Sequence, residues 1–320
     1  MSDLALRFLA GDVGALARAI TIVERGDPSA AELFDLLAAR QVRSVPTVGL
    51  TGAPGAGKST LVDAMTKTAR QRGQTVGVLA VDPSSQISGG ALLGDRLRLE
   101  DHLLDSGVFV RSMAARGQLG GLSRSTGEAM WLLRAFGFDR VLVETVGTGQ
   151  SELDIATAVD TTVVVLAPGM GDEVQLEKAG IMEIADVFVV NKADLPGAES
   201  LAHELRLVVK AGRLVPWKAP VVLASAARPD ERIDALWKAV ETHQLYLADD
   251  PAAQAKTMNF LRGAAAAYVA DRARAWAVAE IDGQHSAVLE RHRLPAAVGR
   301  QLCERLGLPA SEEWPARGAA

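Results

Sequence analysis

Seven short runs of apolar and β-branched residues follow Val45, and most of them are separated by amphipathic segments long enough for a helix. Near-continuous apolar runs of this kind are typical of parallel strands that are buried on both faces of a sheet. The alternation therefore predicts a doubly wound α/β fold with a mostly parallel sheet. The seven runs are VPTVGLTG, TVGVLAVD, VFVRSM, RVLVETVG, TTVVVLAPG, VFVVNKAD and APVVLASA.

The two ends of the chain carry helical patterns instead. Between residues 4 and 41, leucine and alanine recur at three- and four-residue spacing, with breaks at Gly11-Asp12 and at residues 26–29. Beyond Leu245 the strand signals stop and helical patterning continues. We therefore predict an N-terminal helical extension over residues 1–44, an α/β domain over residues 45–246 and a C-terminal helical segment over residues 247–320.

Charge and cysteine content exclude several classes of protein. A formal net charge of −5 argues against a general nucleic-acid or anionic-membrane binder, because such proteins usually carry a basic excess. A single cysteine, Cys303, excludes an intrachain disulfide framework and suits a reducing compartment. The N-terminal residues show no targeting pattern, and the most apolar stretch, residues 161–167, is far shorter than the ~20 residues of a membrane span. We expect a cytoplasmic protein without a nucleic-acid or membrane partner.

A glycine-rich segment, residues 52–60, follows the first predicted strand and opens the helix STLVDAMTKTAR, as the phosphate-loop (P-loop) pattern requires. Glycines let backbone N–H groups wrap an anion, and the helix N-terminus adds partial positive charge. Lys58 is then expected to reach the β- and γ-phosphates, and Ser59 to contact Mg²⁺. The alternative is a plain strand-to-helix turn with an exposed lysine. The predicted nucleotide-binding residues are Gly52, Ala53, Pro54, Gly55, Ala56, Gly57, Lys58, Ser59 and Thr60.

Base specificity is indicated by the sequence Asn191-Lys192-Ala193-Asp194 at the C-terminal end of the run VFVV. It resembles the NKxD motif of GTPases, which implies that Asp194 accepts from two adjacent guanine donors while Lys192 packs along the base. Adenine lacks this donor pair, so discrimination of ~10⁴ or more is plausible. An Asx cap in a strand-to-helix loop is the alternative. A second guanine-contacting loop is suggested by Ser225, Ala226 and Ala227, although alanine stands where the resembled loop has lysine.

Most of the chain resembles the MeaB/ArgK family of GTPases, which are chaperones of cobalamin-dependent acyl-CoA mutases. The matching stretches are GDVGALARAITIVE, GAPGAGKSTL, VDPSSQISGGALLGDRLRL, LVETVGTGQSE, PGMGDEVQLEKAGIMEIAD and VVNKADL. The resemblance implies a GTP-hydrolysing metallochaperone that gates adenosylcobalamin loading, protection or reactivation of methylmalonyl-CoA mutase or an isobutyryl-CoA-type mutase. It also implies GTP, GDP and Mg²⁺ as ligands and an adenosyltransferase as a further candidate partner. We expect no cobalamin to bind this chain itself.

The resemblance further assigns two switch regions around the metal. Asp82 ends the second strand, Asp95 follows in Gly94-Asp95-Arg96, and Glu144 begins the ETVG sequence in which Gly147 is expected near the γ-phosphate. Carboxylates suit a hard cation. We therefore predict Lys58, Asp82, Asp95 and Glu144 as catalytic groups, and Ser59, Asp82, Asp95 and Glu144 as the Mg²⁺ site.

Each of these acidic positions has a structural alternative. Asp82 also fits an Asx-Pro turn, Asp95 a helix N-cap, and Glu144 a strand end without a role. No glutamine follows Gly147 directly, so intrinsic turnover is expected to be slow and to be stimulated by a partner.

A third switch is implied after the fifth strand, where glycines flank Met170 and an amphipathic helix follows. A plain helix-capping loop is the alternative. The residues assigned to this switch are Gly169, Gly171, Asp172, Glu173, Gln175 and Lys178.

Other functions remain open on sequence grounds, and the oligomeric state is a separate prediction. A P-loop kinase or a transport-linked ATPase or GTPase would share the phosphate loop, although no acceptor pocket is evident. A nickel-insertion GTPase would need metal ligands, but the five histidines are scattered and Cys303 is solitary. The alanine-rich tail is predicted to form a homodimer, with packing onto its own domain as the alternative.

Overall fold

The computed structural model describes residues 1–38, 45–83, 102, 104–115, 124–145, 151–169, 181–211, 216–226 and 231–249, together with residues 269, 273, 276–278, 303 and 305. Within it the chain divides into two compact units, Met1–Leu261 and Arg262–Ala320. The three-part division at residues 44 and 246 stays a prediction.

Seven parallel strands form one sheet in the order β3-β2-β4-β1-β5-β6-β7. Each strand overlaps one of the seven runs predicted from the sequence, although β2 and β3 extend past their runs by one and two residues, and the doubly wound α/β fold is confirmed. The strands are β1 (Thr47–Thr51), β2 (Val76–Pro83), β3 (Val108–Ala115), β4 (Arg140–Thr145), β5 (Thr161–Leu166), β6 (Val187–Val190) and β7 (Val221–Leu223).

Helices flank the sheet on both faces. The predicted N-terminal breaks are confirmed, because the first two helices end before Gly11 and Gly26, and the Asp12 side chain caps the second by accepting from Gly14 N at 2.8 Å. The described helices are α1 (Ser2–Leu9), α2 (Val13–Glu24), α3 (Ser29–Ala38), α4 (Lys58–Gln71), α5 (Arg124–Phe136), α6 (Ser151–Ala158), α7 (Ile181–Ile184), α8 (Ala198–Ala211) and α9 (Glu231–Asp249).

The two faces of the sheet are covered by different helices, because successive residues of a strand point to opposite faces. In β1, Val48 and Leu50 pack with α4 and α9, where the Trp237 side chain is fully buried. Gly49 points to the opposite face, where an added Cβ would lie 2.8 Å from Ile155 of α6. Helices α1, α2, α3 and α5 cover that same face over β2, β3 and β4. The N-terminal helices therefore complete the core of the first unit.

Aspartates that precede three strands bind threonines at or just before the starts of neighbouring strands, at the amino edge of the sheet. Each aspartate accepts a hydrogen bond from a threonine N–H at 2.7 to 2.8 Å. In two of the pairs the threonine hydroxyl also donates to the same carboxylate at 2.9 Å. These bonds fix the relative heights of adjacent strands. The pairs are Asp160 with Thr47, Asp139 with Thr75, and Asp186 with Thr162.

The second unit is described only at separate helical positions, among which the Arg305 guanidinium carbon lies 5.6 Å from the Trp276 ring centroid. None of these positions tests dimerisation, which stays a prediction. Within the described helices, no segment combines the length and apolar character needed to cross a bilayer.

Candidate nucleotide-binding site

The loop between β1 and α4 adopts backbone conformations that favour glycine. Gly52, Gly55 and Gly57 have φ values of 136°, 80° and 88°. A Cβ on Gly52 would collide with the Val165 carbonyl oxygen, and one on Gly57 with the Asn191 side-chain amide. The loop therefore takes this path only because these positions carry no side chain.

Lys58 begins α4 and is only 6% exposed, with its ammonium turned back across the loop. Lys58 Nζ donates to the Gly52 carbonyl oxygen at 2.6 Å and to the Ala53 carbonyl oxygen at 3.1 Å. The first N–H groups of a helix have no intrahelical acceptor and carry partial positive charge. A buried cation and a helix N-terminus thus meet at one loop, which suits a phosphate group.

A pair of oxygen ligands lies one residue further along α4. Ser59 Oγ donates to Glu144 Oε1, and both residues are buried, at 9% and 4% exposure. Glu144 lies near the end of β4 in register with Leu50 of β1. A hydroxyl and a carboxylate in contact at the carboxyl edge of a parallel sheet match the oxygen ligands that Mg²⁺ prefers.

Asn191, which is 2% exposed, connects the phosphate loop to the loop after β7. Its side-chain Nδ2 donates to the Ala56 carbonyl oxygen at 2.9 Å, while its Oδ1 accepts from Ala226 N at 3.1 Å. The amide therefore satisfies one backbone group on each loop and fixes the distance between them.

Lys192 and Asp194 extend the same connection. Lys192 has a left-handed φ of 57°, rare for a residue with a side chain, and its Nζ donates to the Gly55 carbonyl oxygen at 2.8 Å. Ser225 Oγ donates to Asp194 Oδ1 at 2.7 Å and so fixes one carboxylate oxygen. Ala193 N also donates to the Ala224 carbonyl oxygen at 2.9 Å. The two loops hold the Asp194 carboxylate beside the end of β7.

The structure brings together the predicted residues of four segments: the phosphate loop, the end of β4 with Glu144, and the two loops carrying Asn191 and Ser225. Thr60 is exposed on the first turn of α4, and Pro54 is exposed in the loop. Gly169, with φ 80°, lies in the turn after β5. The backbone of Asp82 lies in β2 opposite Ala114, but its side chain is outside the described part of the structure. The predicted residues outside the described residues are Asp95, Gly147, Gly171, Asp172, Glu173, Gln175, Lys178 and Ala227.

Two buried threonines at this edge were not singled out by the sequence reasoning. Thr51 ends β1 immediately before Gly52, and Thr145 ends β4 immediately after Glu144. Both side chains are fully buried, and neither hydroxyl has a hydrogen-bond partner within the described structure. The available signal was a hydroxyl residue at the end of an apolar strand and next to a predicted site residue.

Comparison with known proteins identifies several relatives. A putative GTPase of Pyrococcus abyssi is 47% identical over 251 residues, which cover 77% of each chain. The GTPase ArgK of Escherichia coli is 37% identical over 243 residues and 73% of each chain. The mouse protein named methylmalonic aciduria type A homolog, mitochondrial, is 37% identical over 269 residues, or 78% of this chain and 65% of the mouse protein.

Among solved structures, one described as an LAO/AO transport system kinase superposes with a TM-score of 0.66 at 28% sequence identity. The match covers 96% of this chain and 97% of that one. The family model described as methylmalonyl Co-A mutase-associated GTPase MeaB matches residues 16–279. On the evidence of this match and of the identities above, the chain belongs to the MeaB family of P-loop GTPases.

Proposed function

We propose that this GTPase couples its nucleotide state to the loading, protection or reactivation of adenosylcobalamin on an acyl-CoA mutase. The observation that carries the proposal is the match of residues 16–279 to a family described as mutase-associated. The name of the mouse relative, which refers to methylmalonic aciduria, is consistent with the same process. The single Cys303 suits a reducing compartment, and we propose that this process is cytoplasmic.

Guanine recognition is assigned to Asp194, supported by Lys192. One Asp194 oxygen is already held by Ser225, so the carboxylate is oriented before a base arrives. A carboxylate that accepts from guanine N1–H and the exocyclic amine finds no such donor pair on adenine and is left incompletely paired. The expected consequence is a strong preference for GTP over ATP. The loop residues Ser225, Ala226 and Ala227 complete the base site in this proposal.

Phosphate binding is assigned to the loop of residues 52–60. Lys58 Nζ already bridges two loop carbonyl oxygens, and the bound β- and γ-phosphates would take up these donors. Hydrogen bonds from a charged donor to an anion are stronger than those to a neutral carbonyl. The lysine therefore changes partner when the nucleotide binds, without needing to change its position in the fold.

The contact between Ser59 and Glu144 fits a Mg²⁺ site, since both side chains supply oxygen donors. We assign Ser59 and Glu144 as the residues that hold the ion, with Asp82 and Asp95 as the further candidates. Bound Mg²⁺ would neutralise charge on the β- and γ-phosphates. Gly147 is assigned to the γ-phosphate, as the resemblance implies. With no glutamine directly after it, the protein alone is expected to hydrolyse GTP slowly.

Coupling to a partner requires that the partner bind the GTP and GDP forms unequally. By reciprocity, the mutase must then change nucleotide affinity. The three proposed switches follow strands β2, β4 and β5, whose ends lie at the same edge as the phosphate loop. In the third switch, Gly169 has a left-handed φ of 80°, which gives the loop after β5 a glycine hinge. The other proposed residues of this switch are Gly171, Asp172, Glu173, Gln175 and Lys178.

Guanine specificity is tested by competition of unlabelled ATP against labelled GTP. We expect Asp194→Asn to weaken GTP and to favour a xanthine nucleotide, because the carboxamide can donate to the xanthine carbonyl oxygen. The matched control is Asp194→Ala, which weakens GTP without this gain. Comparable affinities of the parent protein for ATP and GTP would contradict the proposal and revive the kinase interpretation.

The mutase proposal is tested by adding candidate acyl-CoA mutases to the full chain. GTP turnover, nucleotide affinity and adenosylcobalamin transfer are the three readouts. Turnover by the parent chain is expected to rise when the mutase is added. Lys178→Ala, in the proposed third switch, is expected to weaken this response and cofactor transfer. Lys210→Ala, at an exposed position of α8, serves as the control. Equilibrium dialysis with cobalamin and the chain alone should show no binding. If no readout changes with any such mutase, only the GTPase assignment survives.

The proposed homodimer is tested separately by light scattering after size-exclusion chromatography at micromolar concentration. The alanine-rich tail, residues 247–320, is the segment assigned to the dimer contact. A monomeric mass would overturn this assignment and would favour packing of the tail onto its own chain.

A further inference from the structure

Thr51 and Thr145 occupy equivalent places at the ends of two neighbouring central strands. Leu50 of β1 is in register with Glu144 of β4, so the next residues along each strand lie side by side. Both threonines are 0% exposed, and the described part of the chain offers neither hydroxyl a hydrogen-bond partner. Such groups are uncommon in folded proteins, and each needs an explanation.

The two hydroxyls lie behind the nucleotide site and not inside it. Strand side chains alternate between faces, and Leu50 packs on the face that carries α4. Thr51 and Thr145 therefore point to the opposite face, together with Gly49 and Val143. A role for them has to act through the backbone of the adjacent residues, Gly52 in the phosphate loop and Glu144 beside Ser59.

An unpaired buried hydroxyl destabilises the state in which it is unpaired, whereas valine has nearly the same shape and carries no such penalty. A penalty confined to the states in which the hydroxyl is unpaired favours any state in which it is paired. We propose that Thr51 and Thr145 are positioning residues for GTP hydrolysis, whose hydroxyls acquire partners in the hydrolysis-competent GTP-loaded state, and not in the GDP-bound or nucleotide-free protein, and thereby hold the ends of β1 and β4. This inference rests on the proposed assignment of the phosphate loop and Glu144.

The chain supplies a matched control at Thr162. It lies on the same face, since Thr162 is in register with Gly49, and it is equally buried with an unpaired hydroxyl within the described structure. It lies at the amino edge of the sheet, however, where only its backbone N–H is bound, by Asp186 at 2.8 Å. Its hydroxyl has no nucleotide loop to position.

The test compares Thr51→Val, Thr145→Val and Thr162→Val in the full chain, by thermal unfolding without nucleotide and by single-turnover hydrolysis at saturating Mg²⁺ and GTP. All three valine variants should be at least as stable as the parent. Hydrolysis should fall about five- to tenfold in the first two, the loss of roughly one hydrogen bond each. It should be unchanged in Thr162→Val, and GDP affinity should stay within about twofold in all three. Thr51→Ser and Thr145→Ser should restore the rate.

Parent-like hydrolysis in both Thr51→Val and Thr145→Val would overturn the inference, as would an equal slowing in Thr162→Val. A loss of stability in the nucleotide-free valine variants would also overturn it, because the hydroxyls would then have partners in that state. Failure of the underlying site assignment is recognised separately. If Lys58→Ala binds GTP like the parent, the phosphate-loop proposal fails, whereas a failure confined to the threonine variants leaves that proposal intact.

Discussion

At the amino edge of the sheet, polar side chains bind one another across neighbouring strands, whereas at the carboxyl edge they surround backbone with unusual dihedral angles. Asp160 accepts from both the N–H and the hydroxyl of Thr47, and Asp139 does the same with Thr75. At the opposite edge, Lys192 has a left-handed φ of 57°. The same strands therefore end in two different kinds of local structure.

The amino edge of the sheet thus contributes to stability, whereas the carboxyl edge carries the proposed nucleotide site. Paired aspartates and threonines leave few donors for a ligand, and they set strand register. A non-glycine residue in a sparsely populated region costs of order 1 kcal/mol or more and persists only when its surroundings hold it in place. Here the Lys192 Nζ contact with the Gly55 carbonyl oxygen contributes to that hold. Substitutions at the two edges should therefore affect different measurements.

Lys58→Ala, at the carboxyl edge, should show the largest effect of these substitutions, and this effect should fall mainly on GTP affinity. Hydrogen bonds from a charged donor are worth about 1.5 to 3 kcal/mol each, so loss of contacts to two phosphates should weaken GTP by roughly 10² to 10⁴-fold. Unfolding without nucleotide should change far less, because only carbonyl acceptors in a partly exposed loop lose their donor. Calorimetric titration with GTP measures the first effect and thermal unfolding the second. A large loss of stability with unchanged GTP affinity would contradict the proposal that Lys58 serves binding and not stability.

Asp160→Ala tests the amino edge. It leaves Thr47 N and the Thr47 hydroxyl without their acceptor and removes the ion pair with Arg134 at 3.4 Å. The free energy of unfolding should fall by about 2 to 3 kcal/mol, since buried donors lose their partner. Urea unfolding measures this change, and Asp160→Asn, which keeps one acceptor oxygen, should lose less. GTP affinity should stay within about twofold of the parent. A folded variant that no longer binds GTP would refute the separation of the two edges.

Asn191→Ala is expected to lower both the free energy of unfolding and the affinity for GTP. Its effect is therefore not confined to one of the two properties. Its side-chain amide is the link between the phosphate loop and the loop after β7. Its removal leaves the Ala56 carbonyl oxygen and Ala226 N without this partner, which should lower the free energy of unfolding by about 1 to 2 kcal/mol. GTP affinity should fall about tenfold because the two loops lose their fixed separation. Urea unfolding and GTP titration of one preparation give both values. A change in only one of them would argue that the amide does not couple the loops.

Asp105→Asn should give the smallest effect, at the amino end of β3, where Asp105 meets the last turn of α4. The Asp105 carboxylate accepts from Arg70 Nε at 2.9 Å and from Gly107 N at 2.9 Å, and the Arg70 hydrogen bond lowers its pKa, with a further contribution from the Gly107 backbone. A lowered pKa in the folded state stabilises the fold above the ordinary aspartate value of about 3.9. That stabilisation is lost as the pH falls through the lowered folded value.

The measurement for Asp105→Asn is the difference in melting temperature from the parent between pH 7 and pH 2. The parent should be the more stable above about pH 5, and the difference should shrink steadily below the ordinary aspartate pKa of about 3.9. A difference that is constant over this range would contradict an electrostatic contribution from the Arg70 pair. GTP affinity at pH 7 serves as the control and should not change.

Local patterns in the sequence were sufficient to predict the strands and to locate the two segments that are proposed to bind the nucleotide. The run TTVVVL is β5, and the run VFVV is β6. Strand burial and the spacing of the GAPGAGKST and NKAD segments are properties of consecutive residues, and these can be recognised without knowing where distant residues lie. The carboxyl ends of parallel strands share one edge, which already predicted that these segments would meet.

Contacts between distant side chains were decided by the tertiary structure alone. The sequence places Asp160 113 positions from Thr47 and gives no reason to pair them. It likewise gave no role for Asn191 as the bridge between Ala56 and Ala226, nor for the packing of Phe8 of α1 against Phe136 of α5 at 5.2 Å between ring centroids. Such contacts depend on strand register and on side-chain direction after the chain has folded, and neither is encoded in the spacing of neighbouring residues.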